Sequence, residues 1–236
     1  ILLPYPITVS GKAYVDVVLL TNSFYTIRAN ENDRIFLDEG AAQTKRVATL
    51  VAGSYNVFEL KDALVVALNA NKAITGQYRV TYLVYSNRFQ VDIVNPAVAH
   101  QFRIWQEAHL VTNYGAWTGV VTGVRATDLR SSNRACGFLT GSTINGTNVV
   151  VAAAQSAPDV QPYKQLFLRS NLGGGSSESL GLNGETDLIR RVVVGNVPTN
   201  GLIHDAHNTG SDYVTIHGTP ELNQLWFQLI DVDCSQ

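Results

Sequence analysis

The chain has no methionine, only two cysteines and few charges. Charged residues make up 15% of it, well under the roughly 25% of an ordinary globular protein. The net charge is −2, which argues against a bulk electrostatic grip on nucleic acid or an anionic membrane. Nowhere is there an apolar run of the eighteen or so residues that a membrane helix requires. Ile1–Leu3 is short and has no basic flank, so no signal peptide is expected there. With no Met, the true start is expected to lie outside the sequence, and N-terminal targeting is not legible. Cys136 and Cys234 make no disulfide framework; the expectation is free, buried thiols in a reducing compartment. Helical periodicity is scarce as well, and only one stretch carries it convincingly.

That stretch is Gly53–Ile93. Leu60, Ala63, Leu64, Ala67 and Leu68 fall at i, i+3, i+4, i+7 and i+8, one apolar helix face. Asn56 stands where an N-cap belongs, and Glu59 completes a capping box. Tyr55 and Leu60 occupy the two positions of a hydrophobic staple. Lys72 suits the negative end of the helix, and Gly76 lies just beyond it. Two strands are expected next. Tyr78, Val80, Tyr82 and Val84 share one face of the first, Phe89, Val91 and Ile93 one face of the second, with a turn at Ser86-Asn87.

The rest reads as β. Strands are expected at Tyr14–Leu20, Phe24–Arg28, Arg34–Leu37 and Arg46–Val51, then at Phe102–Ile104. Phe138–Ile144 and Thr147–Ala153 form a hairpin about Asn145-Gly146, a type I′ turn pair. Asn145-Gly146-Thr147 is also a glycosylation sequon, the weaker reading. Tyr163–Arg169, Thr186–Val194, Tyr213–Ile216 and Leu222–Asp231 complete the strands. In the last, Leu225, Phe227 and Leu229 share a face. Glu107–Ser132, with Gly115, Gly119 and Gly123, reads as loops, and so does Ser170–Gly184. Ile1–Ser10, with Pro4 and Pro6, is an extended N-terminal arm, either frayed or strapped onto a neighbouring subunit. No repeat or linker divides the chain, so residues 1–236 are expected to form a single domain. The fold class is all-β: an antiparallel jelly-roll sandwich with one amphipathic helix, about 56–71, in a crossover. A meandering barrel is the alternative.

Candidate chemistry is thin. His204 and His207, with His217 later, are the nearest approach to a metal site. Asn200, Gly201 and Asn208 around the pair point to a loop of solvated histidines instead. Gly173-Gly174-Gly175 lacks the Gly-Lys-Ser/Thr of a phosphate loop. Asp16, Asp38-Glu39 and Glu178 read as ordinary surface acids rather than a catalytic pair. Cys136 beside Gly137 and Phe138 reads as packing, not a nucleophile. No cofactor is expected. Arg190-Arg191 stands out within an apolar strand. Neighbouring strand residues face opposite ways, so one arginine points toward a core side or a partner. An interface ion pair is the preferred reading of the two. Trp105, Trp117 and Trp226 serve either as a sugar platform or as core and contact anchors, the commoner use. Trp226 joins Arg190 and Arg191 as a candidate interface residue. Low charge itself has two readings, a polar uncharged surface or surfaces covered by partners.

Several blocks together resemble the minor capsid, or penton, proteins of the double-jelly-roll virus lineage. That lineage includes virophages, polinton-like viruses and related large DNA viruses. The first block is Gly53-Ser54-Tyr55-Asn56, the helix from Glu59 to Asn69, and the hairpin Tyr78–Val84 with Phe89–Ile93. Cys136-Gly137-Phe138 is similar to the family's Leu-Gly-Phe. The later blocks are Leu166–Asn171, Asp187–Val192 and Leu222–Asp231. The resemblance follows the order of elements over most of the chain. It implies a single jelly roll without enzymatic activity, in the virion, forming pentamers at the five-fold vertices against the major capsid protein. Arg-Gly-Asp is absent, so integrin binding is not implied. There is no second jelly roll, so the major capsid protein itself is not implied either. A receptor- or carbohydrate-binding β-sandwich of a viral spike is the alternative.

Overall fold

The computed structural model describes residues 1–8, 11–94, 100–105, 110, 131–138, 144–147, 152–172, 187–195, 197–198, 200–206, 214–216 and 221–231. In chain order the first elements are β1 (Leu2–Thr8), β2 (Gly11–Ala13), β3 (Val17–Thr21), β4 (Arg34–Glu39), β5 (Thr44–Thr49) and α1 (Val57–Asn69). Next come β6 (Gln77–Leu83), β7 (Arg88–Val94), β8 (Gln101–Ile104), α2 (Asn133–Cys136), β9 (Ile144–Thr147) and β10 (Ala152–Ala153). The last are β11 (Gln165–Ser170), β12 (Leu188–Val193), β13 (Leu202–Ala206), β14 (Val214–Ile216), β15 (Glu221–Gln224) and β16 (Phe227–Ile230). These elements are mostly strand, and every pairing among them is antiparallel. The chain divides into two compact units, Ile1–Ser23 with Tyr163–Gln236, and Phe24–Pro162.

The Phe24–Pro162 unit holds α1 and two sheets, ordered β5-β4-β8-β9 and β10-β7-β6. The expected helix is present, and so is its start. Asn56 Oδ1 accepts from the backbone N–H of Phe58 at 2.9 Å and of Glu59 at 3.0 Å. Glu59 Oε2 accepts from Asn56 N–H at 2.8 Å, closing the capping box. Leu60, Leu64, Ala67 and Leu68 are buried as the periodicity requires. Each buried leucine contributes about 1.5–3 kcal/mol of apolar burial. They pack in one cluster with Ile35 and Leu37 of β4, Phe89 of β7, Phe102 and Ile104 of β8, and Phe138. The helix joins β5 to β6, strands of different sheets, so it lies in a crossover.

The far end of α1 is not held as expected. No basic residue stands in its last turn. Arg46 of β5 does the work from outside. Its guanidinium donates to the carbonyls of Leu68 at 2.7 Å and Ala70 at 2.8 Å. A helix end leaves carbonyls unpaired and carries partial negative charge, and a cation there meets both needs. Glu39 accepts from Arg46 at 2.7 Å, from Tyr78 Oη at 2.8 Å and from Ala73 N–H at 2.6 Å. This carboxylate is 1% exposed. Tyr78 also meets Phe102 edge-on at 5.3 Å.

Three strand expectations in this unit change. Phe24–Arg28 makes only one isolated bridge, Ile27 to Gly53. Side chains take its backbone groups instead: Asn32 Nδ2 donates to Thr26 O at 2.9 Å and Asn32 Oδ1 accepts from Arg28 N–H at 2.6 Å. Asn145-Gly146 is not a turn. Both residues lie in β9, opposite Arg103 and Phe102 of β8. Pairing along the edge of β8 outweighs the local turn preference. Val84 sits in the turn after β6 and is exposed, while Tyr78 and Val80 are buried as expected.

In the other unit, β1 pairs with β15, β2 with β14 and β3 with β13. Strands from the two ends of the chain are thus nested, outermost with outermost. A chain doubled into one long antiparallel ribbon and then rolled gives this order, which is the jelly-roll plan. A separate three-stranded sheet runs β12-β11-β16. The expected arm is therefore a strand of its own chain. The expected closing strand Leu222–Asp231 breaks in two at Leu225-Trp226. Asn171 sews this corner, donating to Gln224 O at 2.7 Å and accepting from Trp226 N–H at 3.2 Å. The break also moves the buried face: Ile230 is buried and Phe227 exposed.

Gly137 explains the Cys-Gly-Phe triplet. Its φ is +79°, and an added Cβ would collide with the backbone carbonyl of Ser156. Only glycine adopts this conformation without strain and leaves the room. Gly137→Ala is expected to cost roughly 2 kcal/mol or more in a denaturant melt, while Gly40→Ala, with open space around it, costs only about 1 kcal/mol. Burial first, and then the Glu39 charge, raise the Tyr78 phenol well above its ordinary 10.0. A phenol raised on folding stabilises in full below about pH 10 and loses that contribution as pH rises beyond it. Tyr78→Phe is expected to cost about 1–3 kcal/mol at pH 7 by leaving Glu39 short of a donor, and to flatten the alkaline loss of stability.

Candidate functional site

Of the three histidines, only His204 lies among the described residues. His204 lies in β13, not in a loop, opposite Leu19 of β3, and is exposed. His207 and His217 lie outside the described residues, as do Glu178, Gly173–Gly175, Trp117 and Cys234. No group of three or more His, Cys, Asp or Glu side chains comes together among the described residues.

Asp38 and Glu39 are not surface acids. Asp38 is 2% exposed. It stands in register between Lys45 on β5 and Arg103 on β8, with ion-pair distances of 3.6 and 4.0 Å. Both cations also lie 5.8 Å from the ring of Trp105. Glu39 belongs to the helix-end network above. Each carboxylate is committed to cations of its own sheet or helix, so neither pairs with the other for catalysis. Asp16 is exposed. Cys136 is buried and free, and burial pushes its thiol up to about 12. A thiolate nucleophile needs the opposite shift.

Arg190 and Arg191 divide as strand geometry requires. Arg190 is buried and donates to Asp205 of β13 at 2.8 Å and to the carbonyl of Val15. Arg191, one residue on, is exposed. The buried arginine is thus spent within its own unit, and only Arg191 is free to face outward. Trp226 sits at the corner between β15 and β16, partly exposed.

The residues that composition did not single out lie on the ribbon β3–β13. One face, Val18 with Ile203, is buried. The other carries Leu19 at 57% exposure and Leu202 at 59%, with Val17 beside them. His204 is the only titratable side chain among the paired residues of that face. A sequence signal existed: Val17–Leu20 is apolar without a break, where a strand with one wet face alternates. A continuous run reads as buried on both sides, yet here one side is open. Arg190→Met, which strands Asp205 without its cation, is expected to cost about 3 kcal/mol or more in a urea melt. Arg191→Ala is expected to stay within about 0.5 kcal/mol.

No described helix is long and apolar enough to cross a membrane. No family model matches this chain, and no curated protein matches it. Among solved structures, the chain is similar to the crystal structure of the selenomethionine-labelled mavirus penton protein. The two share 10% sequence identity at a TM-score of 0.49, over 99% of this chain and 81% of that one.

Proposed function

We propose that this protein is a non-enzymatic structural component of a viral capsid, a penton protein that closes the five-fold vertices as a pentamer beside the major capsid protein. The observation that carries the reading is the open, nearly uncharged apolar face of β3–β13, with Leu19 and Leu202 more than half exposed. A monomer gains nothing from such a face, whereas a subunit contact desolvates it at little ionic cost. The sparing use of charge agrees, since many of the charges present are already paired inside the units. The blocks from Gly53 to Ile93 and from Leu166 to Asp231 supply the resemblance to penton proteins. In a five-fold ring each contact is heterologous, so one face of a subunit meets a different face of the next. Residues 1–236 act together as one domain of each subunit in that ring.

Sedimentation and native mass measurement test this. A pentamer is expected, and Leu19→Asp or Leu202→Asp is expected to weaken association at least about tenfold, or about 1.4 kcal/mol, with the melting temperature of the subunit little changed. A strictly monomeric protein at high concentration, or a trimer that binds glycans, would overturn the proposal.

A further inference from the structure

We infer that β1 is an exchangeable arm, which in the assembled state leaves its own β15 and pairs with β15 of a second copy of this chain. The inference rests on the assembly reading above and names the contact that the arm makes.

Three observations carry it. First, the described side chains of β1 anchor nothing. Leu2 is 84% exposed and Tyr5 78%, and none of the described side chains of β1 or β15 is buried. A two-stranded ribbon without a packed face is marginal in water, so leaving it costs little. Second, the ladder is thin. Pro4 and Pro6 have no N–H to donate. The register shifts between Leu2 and Ile7, so only Leu2, Ile7 and Thr8 have Cα partners on β15. Third, the departing strand has a place to pivot. Gly11 opens β2 with φ +94° and nothing within 4 Å of where a Cβ would stand, so the backbone is free to re-aim there.

The occupant follows from identity. The edge of β15 already accepts the sequence Leu2–Thr8, and β15 of another copy presents the same edge. Exchange therefore makes no new interface; it moves an existing one between chains, the low-cost route to association. The tie then holds subunits together by a backbone ladder rather than by side-chain chemistry. That suits a chain poor in charge.

The register supplies the test. Ile1 and Leu225 exchange both backbone hydrogen bonds, at 2.6 and 2.9 Å. Leu2 and Gln224, next along, therefore form a closely spaced non-hydrogen-bonded pair, which suits a disulfide. One chain carrying Leu2→Cys and another carrying Gln224→Cys, both with Cys234→Ser, are assembled together and oxidised. Cys136 is buried and poorly ionised, so it stays out of the reaction. The expected result is a covalent mixed dimer on a non-reducing gel. In the doubly substituted single chain, covalent multimers are expected. Assembled protein whose double variant bridges only within each monomer, with no mixed dimer, overturns arm exchange and leaves the assembly reading standing. A protein that never assembles overturns both. Deleting residues 1–8 gives an independent reading. Association is expected to weaken about tenfold or more with the melting temperature shifted by no more than about 2 °C. Lost stability with undiminished association overturns the proposal.

Discussion

The ion pair between Glu39 and Arg46 is the constraint on which the Phe24–Pro162 unit depends. Both side chains are buried. Burying two charges is costly, and attraction alone seldom repays it. Here every group has a further task. Arg46 closes the open carbonyl end of α1, and Glu39 also receives the Tyr78 hydroxyl and the Ala73 N–H. One pair thus ties two neighbouring strands, the helix end, the segment after it and the start of the next sheet. A helix of thirteen residues is marginal alone; its N-terminus is fixed locally by Asn56, and its C-terminus by this contact together with Asn69, whose amide bonds the backbone of Tyr78 in both directions.

The same economy runs through both units. Lys45, Asp38 and Arg103 form a cross-strand ladder, Arg79 pairs with Asp92, Arg169 with Asp187, and Arg190 with Asp205. A chain that begins with few charges and places so many of them in internal pairs keeps little for its outer faces. That links composition to surface. The open face of β3–β13 and the bare strand β1 are what remains when ionic groups have been drawn inward. In the proposed capsid role, contact with copies of itself is the use for which such surfaces are fitted.

Much of this was legible in the sequence, where the signal is local. The capping box at Asn56, the buried stripe from Leu60 to Leu68 and the alternation of Phe89, Val91 and Ile93 depend on neighbours three or four positions away at most. Adjacent strand residues must diverge, so the split between Arg190 and Arg191 was fixed as well, though not which of the two would be buried. Errors arose where distant strands compete with local preference. Asn145-Gly146 became ladder because β8 offered an edge. Leu222–Asp231 broke because the Asn171 side chain fastens its middle. Asp38-Glu39 went inward because β4 has strands on both sides.

By itself the sequence determined helix α1 with its start, the β class, the sparse charge and the residue types of the penton resemblance. These follow from periodicity, capping chemistry and composition, which act over a few residues. Only the tertiary structure decided that Arg46 caps α1, that the chain's two ends nest as β1–β15, β2–β14 and β3–β13, and that Leu19 and Leu202 face outward. Those are pairings across long sequence separations, and no local pattern encodes which edge a strand will meet.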